Sequence, residues 1–95
     1  MKRKVVEVRQ NVGFKREFKK APRKIQQAFQ RRMILFLTNQ LHPLLRNHLL
    51  SGPYKGYRSI NVTGDWRALY KEVVIDDESV IVEFHLLGTH SQLYR

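Results

Sequence analysis

Three runs of strand period follow one another in the C-terminal half of the chain: Tyr57–Val62, Trp66–Glu72 and Val80–Leu87. The links between them are too short for a crossover, so the three must pair antiparallel, as a meander. Thr63-Gly64-Asp65 reads as the first turn, with Gly64 expected at φ > 0 and Asp65 expected to bond its own backbone. Asp76-Asp77-Glu78-Ser79 reads as the second. In the last run, parity places Val80, Val82, Phe84 and Leu86 on one face and Ile81, Glu83, His85 and Leu87 on the other.

The N-terminal half supplies what covers that sheet. Val5–Val8 predicts a short strand, and Asn11 an N-cap for a helix over Val12–Ala21. Pro22 suits the first turn of a second helix running to about Asn39. Its stripe, Ile25, Ala28, Phe29, Arg32, Met33, Phe36 and Leu37, follows the 3.6 period. Leu41–Leu50 reads as a connector with little regular structure. The expected fold is α+β, a single domain over residues 1–95 in the order β-α-α-β-β-β. Two N-terminal helices lie on one face of a small antiparallel sheet, and the other face stays open for a groove.

The formal net charge of +10 on 95 residues calls for an anionic partner. It is unevenly placed: residues 1–58 hold 15 Lys and Arg against Glu7 and Glu17 alone. Residues 59–95 hold three against six acids. Lys15, Lys19, Lys20, Arg23, Lys24, Arg31 and Arg32 are each read singly as solvated, and together as a face for a polyanion. There is no cysteine, hence no disulfide or thiolate metal site, and no HxxxH or HExxH spacing for zinc. The basic start lacks an apolar h-region, and the longest apolar run, Met33–Leu37, cannot span a bilayer. A cytoplasmic protein without membrane contact is expected.

The stretch Lys55–Tyr70 is rich in side chains that a hairpin does not need for folding. Lys55, Arg58, Asn61 and Trp66 are candidate RNA contacts. Arg58 and Arg67 suit phosphate clamping, because a guanidinium bonds phosphate oxygens bidentately and keeps its charge. Among the histidines, His85 pairs by parity with Glu83, and His42 has no assigned role. His48 and His90 lie in loop-like sequence within reach of the hairpin. This set suits RNA cleavage without a cofactor: the 2′-hydroxyl attacks phosphorus and the 5′-oxygen leaves. Asp65 would serve as base, Arg58 and Arg67 as clamps and His90 as acid, with Trp66 or Tyr94 stacking on a base. Structural roles compete for several of these residues. Asp65 is also a turn residue, Trp66 a core candidate, and one arginine a surface ion-pair partner.

The run GYRSINVTGDWRALYKEV, followed by an acidic turn, a strand and GTHSQLY, resembles the RelE superfamily of bacterial toxins. It is nearest the YafQ-like branch of ribosome-dependent mRNA interferases, over about His42 to Tyr94. The resemblance implies a RelE-like fold, cleavage of mRNA on the ribosome, contact with ribosomal RNA, and neutralisation by a cognate acidic antitoxin. Any contact with operator DNA would pass through that antitoxin. By position it assigns His48, Asp65, Arg67, His90 and Tyr94 to catalysis, and Trp66 to the site as the neighbour of Asp65. Asn61 stands where the YafQ-like pattern has a further histidine. The alternatives are a ParE-like topoisomerase poison, a binding-only relative, or a basic protein that only binds nucleic acid.

Overall fold

The computed structural model describes residues 3–94; Met1 and Lys2 at the basic start, and Arg95 of the closing run, lie outside the described residues. Five strands form one sheet in the order β1-β5-β4-β3-β2: β1 Lys4–Gln10, β2 His48–Leu49, β3 Arg58–Asn61, β4 Trp66–Val74 and β5 Ser79–Thr89. Helices α1 (Val12–Lys20) and α2 (Arg23–Thr38) pack on one side, and α3 (His90–Leu93) follows β5. Strands β2 to β5 pair antiparallel as expected. Two features depart from an all-antiparallel sheet of four strands. β1 pairs parallel with β5, and β2 forms inside the expected connector. With two helices between β1 and the meander, a parallel edge becomes available.

The Asn11 side chain accepts from the Phe14 N–H at 2.8 Å and so starts α1. Its last carbonyls are closed by Gln26, whose amide donates to Phe18 O at 2.8 Å and Ala21 O at 3.3 Å. This fixes the corner between the helices, where Pro22 takes the cap position of α2 rather than its first turn. Ile25, Ala28, Phe29 and Phe36 are buried, whereas Leu37, expected on the stripe, is 68% exposed. The core centres on Phe84. The rings of Phe14, Phe29, Phe36 and Tyr70 lie 5.5, 5.4, 5.9 and 5.2 Å from it. Burial pushes the Tyr70 hydroxyl pKa up, against the hydrogen bond from Asn47 and the charge of Arg58.

β5 is bulged at His85. Leu69 of β4 faces Leu86, but Tyr70 faces Phe84, so one residue of β5 has no partner. Alternation therefore changes phase. Leu87, not Leu86, joins Val80, Val82 and Phe84 in the core. On the opposite face, Ser59 and Leu69 are also fully buried. That face is partly covered by the chain end, with the Tyr94 hydroxyl donating to Ser59 Oγ at 3.4 Å. The β3–β4 turn is organised by Thr63, whose Oγ1 accepts from the Trp66 N–H at 3.1 Å. Gly64 does not take the positive φ expected of it; the glycines that do are Gly52 and Gly56.

Candidate active site

On the sheet face away from α1 and α2 lies a cavity of about 680 Å³, lined by Arg46, Asn47, His48, Leu50, Asn61, Arg67, His90 and Tyr94. Strand pairing assembles it. His48 on β2 lies opposite Ser59, and Asn61 on β3 lies opposite Arg67 on β4. Arg67 in turn faces Gly88, two residues before His90. His90 is pinned where β5 ends: its backbone N–H donates to Asp65 O at 2.9 Å. Thr89 and Gln92 form a reciprocal capping box over the same turn. The approach at Gly88 is close: a Cβ there would meet Gln92 Oε1 at 3.1 Å and Leu93 Cγ at 3.3 Å, so both side chains would have to give by a few tenths of an ångström.

The two imidazoles are held differently. His48 Nδ1 lies 2.8 Å from Arg46 O. A carbonyl only accepts, so Nδ1 carries the hydrogen, and Nε2 of the neutral ring is the nitrogen with a lone pair. The His90 ring is exposed and rests 4.8 Å from the ring of Tyr94. Tyr94 is braced edge-on by Tyr54 at 5.8 Å, and Tyr54 by Tyr57 at 6.1 Å. Tyr57 is hydrogen-bonded to His85 Nδ1 at 3.1 Å, while His85 Nε2 meets Glu83 at 2.6 Å, so the expected His85–Glu83 pair anchors this row.

Arg67 Nη1 donates to the carbonyls of Thr63 (3.0 Å), Gly64 (3.0 Å) and Trp66 (3.2 Å). That nitrogen is committed to the turn, which leaves Nε and Nη2 for an anion. Arg46 was not singled out by the sequence. It is in the left-handed region at φ 45°, the one non-glycine to be so among the described residues. This conformation costs an arginine about 1–2 kcal/mol. Arg9–Glu7 is the one arginine–carboxylate pair among the described residues, so no described carboxylate pairs with Arg46 or Arg67.

Other candidates fall outside the cleft. Arg58 is three residues from Asn61 and so points to the opposite face, where its Nε donates to Asn47 Oδ1 at 2.9 Å. It therefore does not clamp together with Arg67. Trp66 is half-buried against the core, in line with its structural reading. Lys55 is exposed and does not line the cavity. Asp65 is exposed as well; its backbone carbonyl holds His90 at the edge of the cleft, and its side chain is not among those that line the cavity. His42 caps a short 3-10 turn, Pro43–Leu45, by accepting from the Leu44 N–H at 3.2 Å.

Comparison with known proteins gives the family of the chain. The mRNA interferase toxin YafQ of Escherichia coli strain K12 is 37% identical over 65 residues, which span 65% of this chain and 64% of that protein's length. The crystal structure of YafQ from E. coli strain BL21(DE3) superposes with a TM-score of 0.71 at 24% identity, covering 99% of this chain and all of that one. The E. coli DinJ–YafQ toxin–antitoxin complex gives 0.70 at 25% identity, covering both chains in full. The family profile for the bacterial toxin of type II toxin–antitoxin system, YafQ, matches residues 6–95, and the chain belongs to that family.

Proposed function

We propose that the chain is an endoribonuclease that cuts mRNA on the ribosome, in the cytoplasm, and is silenced by a separate acidic antitoxin. The observation that carries this reading is the pair of imidazoles, His48 and His90, in one cleft with two unneutralised arginines. The name of the E. coli relative, an mRNA interferase, supports the substrate. The E. coli DinJ–YafQ toxin–antitoxin complex supports the partner, and a net charge of +10 suits an acidic one.

In this mechanism His48 Nε2 takes the proton of the 2′-hydroxyl, and the 2′-oxygen bonds to phosphorus. The bond from phosphorus to the 5′-oxygen breaks, and His90 gives that oxygen a proton. Arg46 and the free edge of Arg67 stabilise charge on the phosphoryl oxygens. Tyr94 lies beside the acid, ready to contact the nucleotide. The products are a 2′,3′-cyclic phosphate and a 5′-hydroxyl. His48 replaces Asp65 as the proposed base because it lines the cavity and presents a free lone pair.

Mapping of RNA ends after incubation with translating ribosomes tests this. The parent should yield those two termini, and His48→Ala should cut about 10²–10⁴-fold more slowly. Asp65→Asn should stay far closer to the parent. The reverse ranking would return the base role to Asp65, and parent-like rates in both variants would end the catalytic reading. Asn61 hydrogen-bonds but does not exchange a proton near neutrality. Asn61→His should therefore raise the rate, by up to about a hundredfold. A fall in rate would mean that the amide itself is needed.

A further inference from the structure

The concave surface does not end at the cleft. Past Arg67 it continues into a second hollow of about 610 Å³, between the Pro43–Leu45 turn, the β3–β4 turn and α2. This hollow shares Arg46, Asn61 and Arg67 with the cleft and adds Arg32. A third hollow, of about 320 Å³, runs on along α2 past Thr63 and Gly64, between Arg32 and Arg31. Among the described residues, no carboxylate lines any of the three. A separate hollow beside Arg58 and Val80 contains Glu72. Two of the guanidiniums are set in place by backbone: Arg32 Nε donates to Val62 O at 3.3 Å, and Arg67 is tied to its turn. Their remaining N–H groups are free for an anion at little further cost in ordering. No aromatic ring lines the second or third hollow, so neither offers a surface on which bases could stack.

We propose that this groove carries the RNA strand on one side of the cleaved bond, with Arg46, Arg32 and Arg31 meeting successive phosphates. Its contacts are with the backbone and are therefore indifferent to base sequence. This rests on the reading of the cleft as an RNA-cleaving site. The test uses 2′-O-methyl RNA oligomers, which lack the attacking hydroxyl, so binding is measured apart from cleavage. Affinity of the parent should rise as the oligomer lengthens from about three to about eight nucleotides, each added phosphate contact steepening the salt dependence by about 0.7 in log–log slope. The pair Arg31→Gln and Arg32→Gln should lose the gain with length, and about 1.4 of that slope. Arg31→Gln alone, at an exposed position, should lose about half as much and guards against misfolding at Arg32. Equal slopes in parent and variants, or a parent indifferent to length, would overturn the groove and leave the cleavage chemistry standing. An acidic peptide that depends on Arg31 and Arg32, where the oligomer does not, would also overturn it and give the surface to a protein partner. If instead the oligomers behave as expected but His90 variants still cut, the groove stands and the catalytic reading falls.

Discussion

His90→Ala is expected to slow cleavage by about 10²–10⁴-fold, the contribution of one positioned proton donor. The loss is one of chemistry and not of folding. The ring is exposed, and the bond that holds the residue in place, N–H to Asp65 O, belongs to the backbone and survives the substitution. The truncation removes the contact with Tyr94 and little else, so stability should change by no more than about 0.5 kcal/mol. Single-turnover cleavage on ribosome-bound mRNA, beside a thermal melt, separates the two effects. His90→Gln extends the test, since it keeps a hydrogen-bond donor but carries no exchangeable acid proton. A glutamine variant as fast as the parent would reduce His90 to a binding contact, and the acid would have to be sought elsewhere in the cleft.

Phe84→Ala should act in the opposite way, through the fold alone. Phe84 is fully buried on the helix side of β5, where four aromatic rings lie within 6 Å of its own. Emptying such a site costs about 3–5 kcal/mol, from lost transfer energy and the cavity left behind. Lost edge-to-face contacts add to this. Against a total of about 5–15 kcal/mol for a domain of this kind, that is a large share of the stability. Urea denaturation would show the midpoint falling steeply, with activity falling only as the folded fraction falls. An unfolding free energy within about 1 kcal/mol of the parent would mean that the aromatic cluster repacks freely and is not the centre of the core.

The chain declares its local structure plainly. Asn11, the spacing of Ile25, Phe29 and Phe36, and the alternation on either side of Thr63 each report one nearby physical cause. The features that escaped are those decided between distant segments. Nothing local says that β1 lies parallel to β5, or that β5 contains one residue without a partner. At the site, His48 and His90 were legible as loop histidines near the hairpin, and strand order brings them into one cleft. Arg58 was separable from Asn61 and Arg67 by parity, which its charge obscured. Arg46 was hidden, because its role follows from a left-handed backbone that no turn residue announces. The Asp65 side chain, on an exposed turn, had no partner in the sequence to fix its direction.

The bulge at His85 divides β5 into two stretches of different allegiance. Up to Phe84 the strand packs under the helices in one phase; beyond it, in the other phase, Leu87 returns to the same core while the backbone carries its last residues to the edge of the cavity. Insertion or loss of a single residue between them would exchange inner and outer sides for everything downstream, sending Leu87 toward solvent and re-aiming the segment that bears His90. Length in that short interval is therefore constrained more tightly than chemistry, and variation in relatives that keep the cleft should appear there as substitution and not as a change in residue count.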